Sequence, residues 1–236
     1  MKRIVLAVFA LLCILTFGGC SQEKEAESTT IQDPYTYRIV DKGVQITKSH
    51  LTDQTEIIVP DTIAGYPVIS IGDEAFYQHT ITKSIILPDC ILEIGNAAFY
   101  RCYSLLEIYI PKSVERMGPN PFFRCSSLEN IFVDTGNQYF SDIGGVLFGN
   151  DETEMLSYPE GRTDEKEYSI PESVITLKNP FGYDPNFVIL TIPSSVTNFP
   201  DYNMFTFPDD IVLNVDSGSA AECYALEYGL NYTVLP

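Results

Sequence analysis

The sequence predicts a solenoid of α/β type: a right-handed stack of short parallel strands joined by irregular or short helical convex segments. Three observations carry that reading. The chain matches itself when slid by 23 residues, each matching stretch holds a short apolar run closed by proline, and small and aromatic residues recur at one register behind it. The clearest overlay sets Ile94-Gly95-Asn96-Ala97-Ala98-Phe99-Tyr100-Arg101-Cys102 over Met117-Gly118-Pro119-Asn120-Pro121-Phe122-Phe123-Arg124-Cys125. A fixed period of this length denotes small units that bury their apolar sides against one another.

Within one unit, Ile108-Tyr109-Ile110 alternates inward, outward, inward, which suits a short strand with one buried face. Pro111 ends it, because proline lacks the N–H that a sheet ladder needs. Pro88, Pro171 and Pro193 play the same part elsewhere. After a turn, Val114 and Met117, or Ile91 and Ile94, give further apolar anchors, and Gly95 or Gly118 permits a tight bend. Ala97-Ala98-Phe99 is expected to fill the inside of the coil, and Leu105 or Leu128 leads back to the next strand.

The same register marks strands at Ile57-Ile58-Val59, Ile131-Phe132-Val133, Leu156-Ser157-Tyr158 and Leu213-Asn214-Val215. The step from Pro60 to Pro88 is 28 residues, and the period breaks over 135–170. There Gly144-Gly145-Val146-Leu147-Phe148 and Asp151–Met155 read as a hairpin inserted around 135–160. Later units depart further: Leu177-Lys178-Asn179-Pro180-Phe181 is one residue short, and Met204 stands where phenylalanine is expected. At the other end, Tyr35–Val40, Asp41-Lys42-Gly43 and Val44–Thr47 read as a β-hairpin that caps the first coil.

These residues resemble the BspA-like, or treponemal-type, leucine-rich repeats of bacterial surface proteins. The resemblance rests on the units Ile85–Leu105 and Ile108–Leu128, with their Ala-Phe pair, cysteine column and Ile-Pro strand end. It also takes in the insertion from Asn137 to Pro159 and the ending Gly218–Ala225, and it covers roughly residues 35 to 236. It implies a leucine-rich-repeat stack serving as a binding scaffold, and leaves the target open.

Ahead of the repeats, Lys2-Arg3, the apolar run Ile4–Phe17 and Gly18-Gly19 form a secretory signal over residues 1–19. The run is short for a bilayer span. Phe17-Gly18-Gly19-Cys20 resembles a bacterial lipobox, which implies cleavage before Cys20 and a lipid on its sulfur; an ordinary cleaved signal is the other reading. The following residues up to Pro34 have almost no apolar content and read as a disordered tether, 20–34 in all. Such a chain holds the domain over 35–236 roughly 20 Å from the lipid surface. The expected location is the bacterial cell envelope, with the membrane met through the anchor only.

The chain carries 14 basic and 32 acidic side chains, a net charge of −18. That field repels phosphate backbones and excludes a nucleic-acid partner, while favouring basic or cationic ones. No cofactor or metal motif is present. The acidic runs lack calcium-loop spacing, and His50 and His79, the only histidines, have no partnered nucleophile, so no enzyme activity is expected. His79, Cys102 and Cys125 fall at one repeat position, about 5 Å apart along the stack. Export permits a Cys102–Cys125 disulfide, whereas the same column equally suits small buried thiols. Cys90 replaces the serine of Ser113, Ser173 and Ser195, and reads as a surface or loop thiol.

One surface stands out. The outward strand positions Ile58, Ile86, Tyr109, Phe132, Ser157, Ser169, Thr191 and Asn214 should line one sheet face, apolar in its first half and polar in its second. An exposed apolar stripe with aromatic rings points to a protein partner. A glycan is the alternative, for which Tyr100, Tyr103 and Tyr109 offer stacking platforms.

Overall fold

The computed structural model describes residues 29–32, 34–163, 166–182, 185–205 and 210–236. The expected signal segment, Cys20 and most of the expected tether lie outside these residues. Three strands open the fold: β1 (Thr29–Gln32), β2 (Tyr35–Val40) and β3 (Gly43–Ser49), joined as an antiparallel meander. The expected β2–β3 hairpin is therefore present. Its neighbour β1 lies in the stretch assigned to the tether, so among the described residues pairing reaches back to Thr29, ahead of the expected start at Tyr35.

The chain then winds, alternating between two columns of short strands. β4 (Glu56–Ile58) begins the first column, and β5 (Thr62–Ile63) makes a small hairpin with β6 (Tyr66–Ile71), which belongs to the second. That hairpin accounts for the 28-residue step seen in the pairing of Glu56 with Ser84. β7 (Ser84–Ile86), β8 (Glu93–Ile94), β9 (Glu107–Ile110), β10 (Arg116–Met117) and β11 (Asn130–Val133) follow, column by column. One parallel sheet runs β11-β9-β7-β4, and the other runs β3-β6-β8-β10 behind the opening meander. Because β3 is itself a parallel rung on β6, the cap is continuous with the stack it closes.

The insertion is a meander of β12 (Phe140–Ile143), β13 (Val146–Gly149) and β14 (Glu154–Ser157). Its third strand re-enters the second column by pairing in parallel with β16 (Thr176–Leu177). This corrects the placement of Leu156-Ser157-Tyr158 in the first column, where the register alone had put it. β15 (Glu167–Ser169), β17 (Ile189–Ile192) and β18 (Val212–Val215) form a separate parallel sheet, completed by β19 (Asn231–Val234).

Of the irregular or short helical convex segments expected, the irregular form is the one seen in the coils of Phe76, Phe99 and Phe122. Glu74 and Gln78, Ala97 and Arg101, and Asn120 and Arg124 all have φ between 50° and 62°, a left-handed corner on either side of each buried phenylalanine. A right-handed helix cannot pass through such corners. The backbone instead bonds from coil to coil: Phe76 N–H donates to Ala98 at 2.8 Å, and Phe99 N–H to Pro121 at 2.9 Å. Ala97 occupies a corner rather than the core, while Ala98 and Phe99 are fully buried.

Among the described residues the one helix is α1 (Ala220–Tyr228), which the sequence reading did not foresee. Ser219 accepts from Glu222 N–H, the Glu222 carboxylate accepts from Gly218 N–H, and Gly229 closes the far end at φ 66°. This reciprocal cap fixes where the helix starts. With β19 it lays a lid over the last coil.

The two core columns show why the repeat is what it is. Phe76, Phe99 and Phe122 stack ring on ring at 5.5 Å. A second run stacks Phe181 on Phe205, also at 5.5 Å, so Phe205 and not Met204 takes the ring position of its coil. Met204 is buried beside it. Gly95 and Gly118 serve close approach rather than a bend. A Cβ on Gly118 would lie 2.4 Å from the Asn96 nitrogen, and one on Gly95 2.5 Å from the Asp73 nitrogen.

Candidate binding surface

The stripe on the first column is real through β4, β7, β9 and β11. Each side chain gets there by alternation: Ile57, Ile85, Ile108 and Ile131 point into the core, which turns the following residue outward. Register then aligns the rungs, Ile58 beside Ile86 and Tyr109 beside Phe132. Ile58 is 66% exposed and Tyr109 60% exposed, so both are left in solvent at appreciable hydrophobic cost. The Tyr109 and Phe132 rings stack at 4.9 Å, forming one rigid aromatic plate.

A groove of about 670 Å³ runs along this face. Ile86, Tyr109 and Phe132 line it, together with the carboxylates of Asp89, Glu107, Asp134 and Asp142. Among the described residues that line it, none is basic. The groove therefore offers an apolar surface inside a negative field, which suits a partner presenting apolar and cationic groups together.

Asp142 belongs to the inserted hairpin and has a second task. Its carboxylate accepts from Val133 N–H at 2.8 Å and from Gly145 N–H at 3.3 Å, while Ile131 N–H donates to the Gly145 carbonyl. These bonds occupy the β11 edge and end the first sheet. The long outward row read from the repeat is accordingly divided. Ser157 lies in β14, away from it, and Ser169, Thr191 and Asn214 line the separate β15-β17-β18 sheet.

Tyr100 and Tyr103 do not join the stripe. Tyr100 stands on the convex side in a row with Tyr77 and Phe123, at ring separations of 5.4 and 5.7 Å. Arg101 lies over the Tyr100 ring and donates to the Tyr77 hydroxyl at 3.3 Å. Tyr103 is exposed just beyond the buried Cys102. Tyr100, Tyr103 and Tyr109 therefore make no common platform for a sugar, because a coil turns between them.

The cysteine column holds thiols. Cys102 and Cys125 are free and buried, and each donates to the phenylalanine carbonyl of the preceding coil, Phe76 at 3.2 Å and Phe99 at 3.1 Å. Burial pushes the Cys125 thiol well up from its ordinary value. One coil earlier, buried His79 bonds Phe76 O through Nδ1 and Ser49 Oγ through Nε2, both at 3.0 Å. Burial lowers its pKa, so the ring is held neutral. Cys90 and Ser113 are equivalent: the thiol donates to Val68 O at 3.2 Å and the hydroxyl to Ile91 O at 2.6 Å, each on the coil before. Among the described residues no group of three or more His, Cys, Asp or Glu converges as a metal site, and no helix is long and apolar enough to cross a membrane.

Coils of this kind, stacked in parallel with one sheet face open, define a repeat scaffold of the leucine-rich class. The model of the BspA type leucine rich repeat region matches six copies over residues 50–164, so this stretch is a leucine-rich repeat region of BspA type. Among solved structures, the chain is similar to a T. pallidum leucine rich repeat protein at 15% identity and TM-score 0.48, covering 88% of this chain and 100% of that one. It is also similar to a leucine-rich repeat protein from Eubacterium ventriosum at 16% identity and TM-score 0.41, covering 80% and 72%. A leucine rich cell surface protein from Faecalibacterium prausnitzii matches at 17% identity and TM-score 0.35, covering 81% and 76%. No curated protein matches the chain.

Proposed function

We propose that this protein is a cell-surface scaffold, anchored by lipid at Cys20, that captures another protein non-covalently on the Ile58–Ile86–Tyr109–Phe132 face. The observation that carries the reading is the stacked Tyr109–Phe132 plate, its tyrosine exposed and its phenylalanine half-buried, in a groove lined by carboxylates. Rigid aromatic side chains make effective interface anchors because little rotamer freedom is lost when a partner covers them. A partner segment that alternates apolar and basic residues matches both features of the groove. Anchoring follows from the sequence before the fold, where a basic start, an apolar run and Gly18-Gly19-Cys20 stand in the order that export and acylation require. One acyl chain holds a protein only marginally and two or more hold it firmly, so multiple acylation at Cys20 gives a lasting attachment.

Cross-linking on intact cells, with mass spectrometry of what is captured, tests the reading. The native chain should yield a partner that the double variant Tyr109→Ser with Phe132→Ser loses while keeping its thermal unfolding midpoint. Equal capture by the double variant would remove this face from consideration. Cys20→Ser should release the protein from the membrane fraction without altering capture.

A further inference from the structure

A second concave surface lies away from the stripe, where the repeat register breaks. In the regular coils a left-handed corner stands two residues before the buried ring, at Glu74 before Phe76, Ala97 before Phe99 and Asn120 before Phe122. The coil of β16 keeps it, with Asn179 at φ 55° before Phe181. The coil between them does not. There β14 runs directly into Tyr158, which takes the ring position beside Phe181. With that corner missing, Asn179 reaches past the short coil and donates to the Asn120 side-chain oxygen at 3.3 Å. Below the two asparagines the stack opens into a cleft of about 880 Å³.

The lining of this cleft is neutral and amphipathic. Tyr139 of the insertion and Tyr202 near the C-terminal coil border it, half-exposed at 50% and 47%. Asn120, Asn179 and Asn198 come from three different coils, with Thr176 beside them. Asn198 donates to Thr176 Oγ1 at 3.0 Å. Each of these bonds uses one position on an amide that has four, and an amide, like a sugar hydroxyl, both donates and accepts. The charged side chains that line the cleft, Lys178 and Glu154, pair with each other at 3.4 Å. The Tyr202 segment is fixed from behind: the buried Tyr224 hydroxyl donates to the Tyr202 carbonyl at 2.8 Å and accepts from Met204 N–H at 2.9 Å.

From this we infer that the cleft between Asn120, Tyr139, Asn179 and Tyr202 is a binding site for a short neutral oligosaccharide. Its volume lies within the range of small-ligand sites, roughly 300–1,000 Å³. Aromatic rings with an apolar face and a polar tip take the C–H face of a pyranose, and the amide rim meets its hydroxyls. An ionic ligand finds no unpaired counter-charge here. A purely apolar ligand would leave three amides without water, at a cost that burial of its surface does not recover.

The test uses the chain from Ser21 onward on an array of neutral and acidic glycans, with calorimetry on the best neutral binder. Binding should be confined to neutral chains and weakened at least tenfold by Tyr139→Ala and by Tyr202→Ala. Both tyrosines are half-exposed, so the variants should keep the native circular dichroism and unfolding midpoint; Asn198→Ala gives a third, independent reading of the rim. The Tyr109→Ser and Phe132→Ser pair should bind the glycan unchanged, which separates this site from the protein-binding face. A blank array, binding that survives both tyrosine substitutions, or equal binding of acidic glycans would overturn the inference.

Discussion

The rings of Phe99 and Phe122 lie one coil apart with centroids 5.5 Å from each other and planes only 11° off parallel. Identical side chains at identical places in successive coils meet face to face, so a repeat in sequence becomes a continuous row in space. The free energy of the fold resides in such rows, since each ring is covered only if its neighbours are present.

Phe99 has contacts above and below, so its truncation opens a hole that neither adjacent coil can close. Phe99→Ala should cost about 3–5 kcal/mol, read from urea unfolding. Phe99→Leu should cost noticeably less. A loss under about 1 kcal/mol for the alanine variant would contradict a tightly stacked row.

Gly118 is demanded by space. A methyl group there would meet the Asn96 backbone at 2.4 Å, and backbone cannot swing aside as a long side chain can. Gly118→Ala should therefore destabilise by about 1–3 kcal/mol. Gly144→Ala has open space instead and pays only for its φ of 57°, about 1 kcal/mol. Thermal melts of the two variants side by side would show the difference.

His79 links stability to pH. Burial sets its folded pKa below the ordinary 6.5, so the unfolded chain binds more protons as pH falls. The stability it contributes is whole above about pH 6.5 and is lost on acidification toward the lower folded value. His79→Gln should flatten the slope of stability against pH on the acid side of the ordinary histidine pKa of 6.5. An unchanged slope would mean that the ring is not held neutral.

Asp142 closes the β11 edge. Asp142→Ala leaves Val133 N–H without its acceptor, which should cost about 1–3 kcal/mol. An opened sheet edge is also a template for another chain. The variant is expected to self-associate at high concentration, visible by light scattering, while the native chain does not.

Much of this was legible before any coordinates. The strand pattern before each proline or its equivalent placed Ile57, Ile85, Ile108 and Ile131 inside, and turned Ile58, Ile86, Tyr109 and Phe132 to the outer face. The 23-residue register paired Cys102 with Cys125 in one column, although whether they were bonded was open until both thiols were seen donating to carbonyls. Proline at the strand ends and the Asp41-Lys42-Gly43 turn gave boundaries within a residue or two. The later coils were harder. Met204 was set in the ring position because it keeps the spacing, yet Phe205 fills it, since ring stacking on Phe181 outweighs a one-residue slip in a loop.

What the residues determined alone is the repeating unit: which side chain faces in, where each strand stops, and that every coil needs another. That information is local and periodic, and alternation and proline encode it directly. Three things waited for the folded chain: the left-handed corners that exclude helices, the division of the sheet by Asp142, and the cleft over the shortened coil. Each depends on how one coil lies against others many residues away, and a break in a period tells where regularity fails without telling what shape the failure takes.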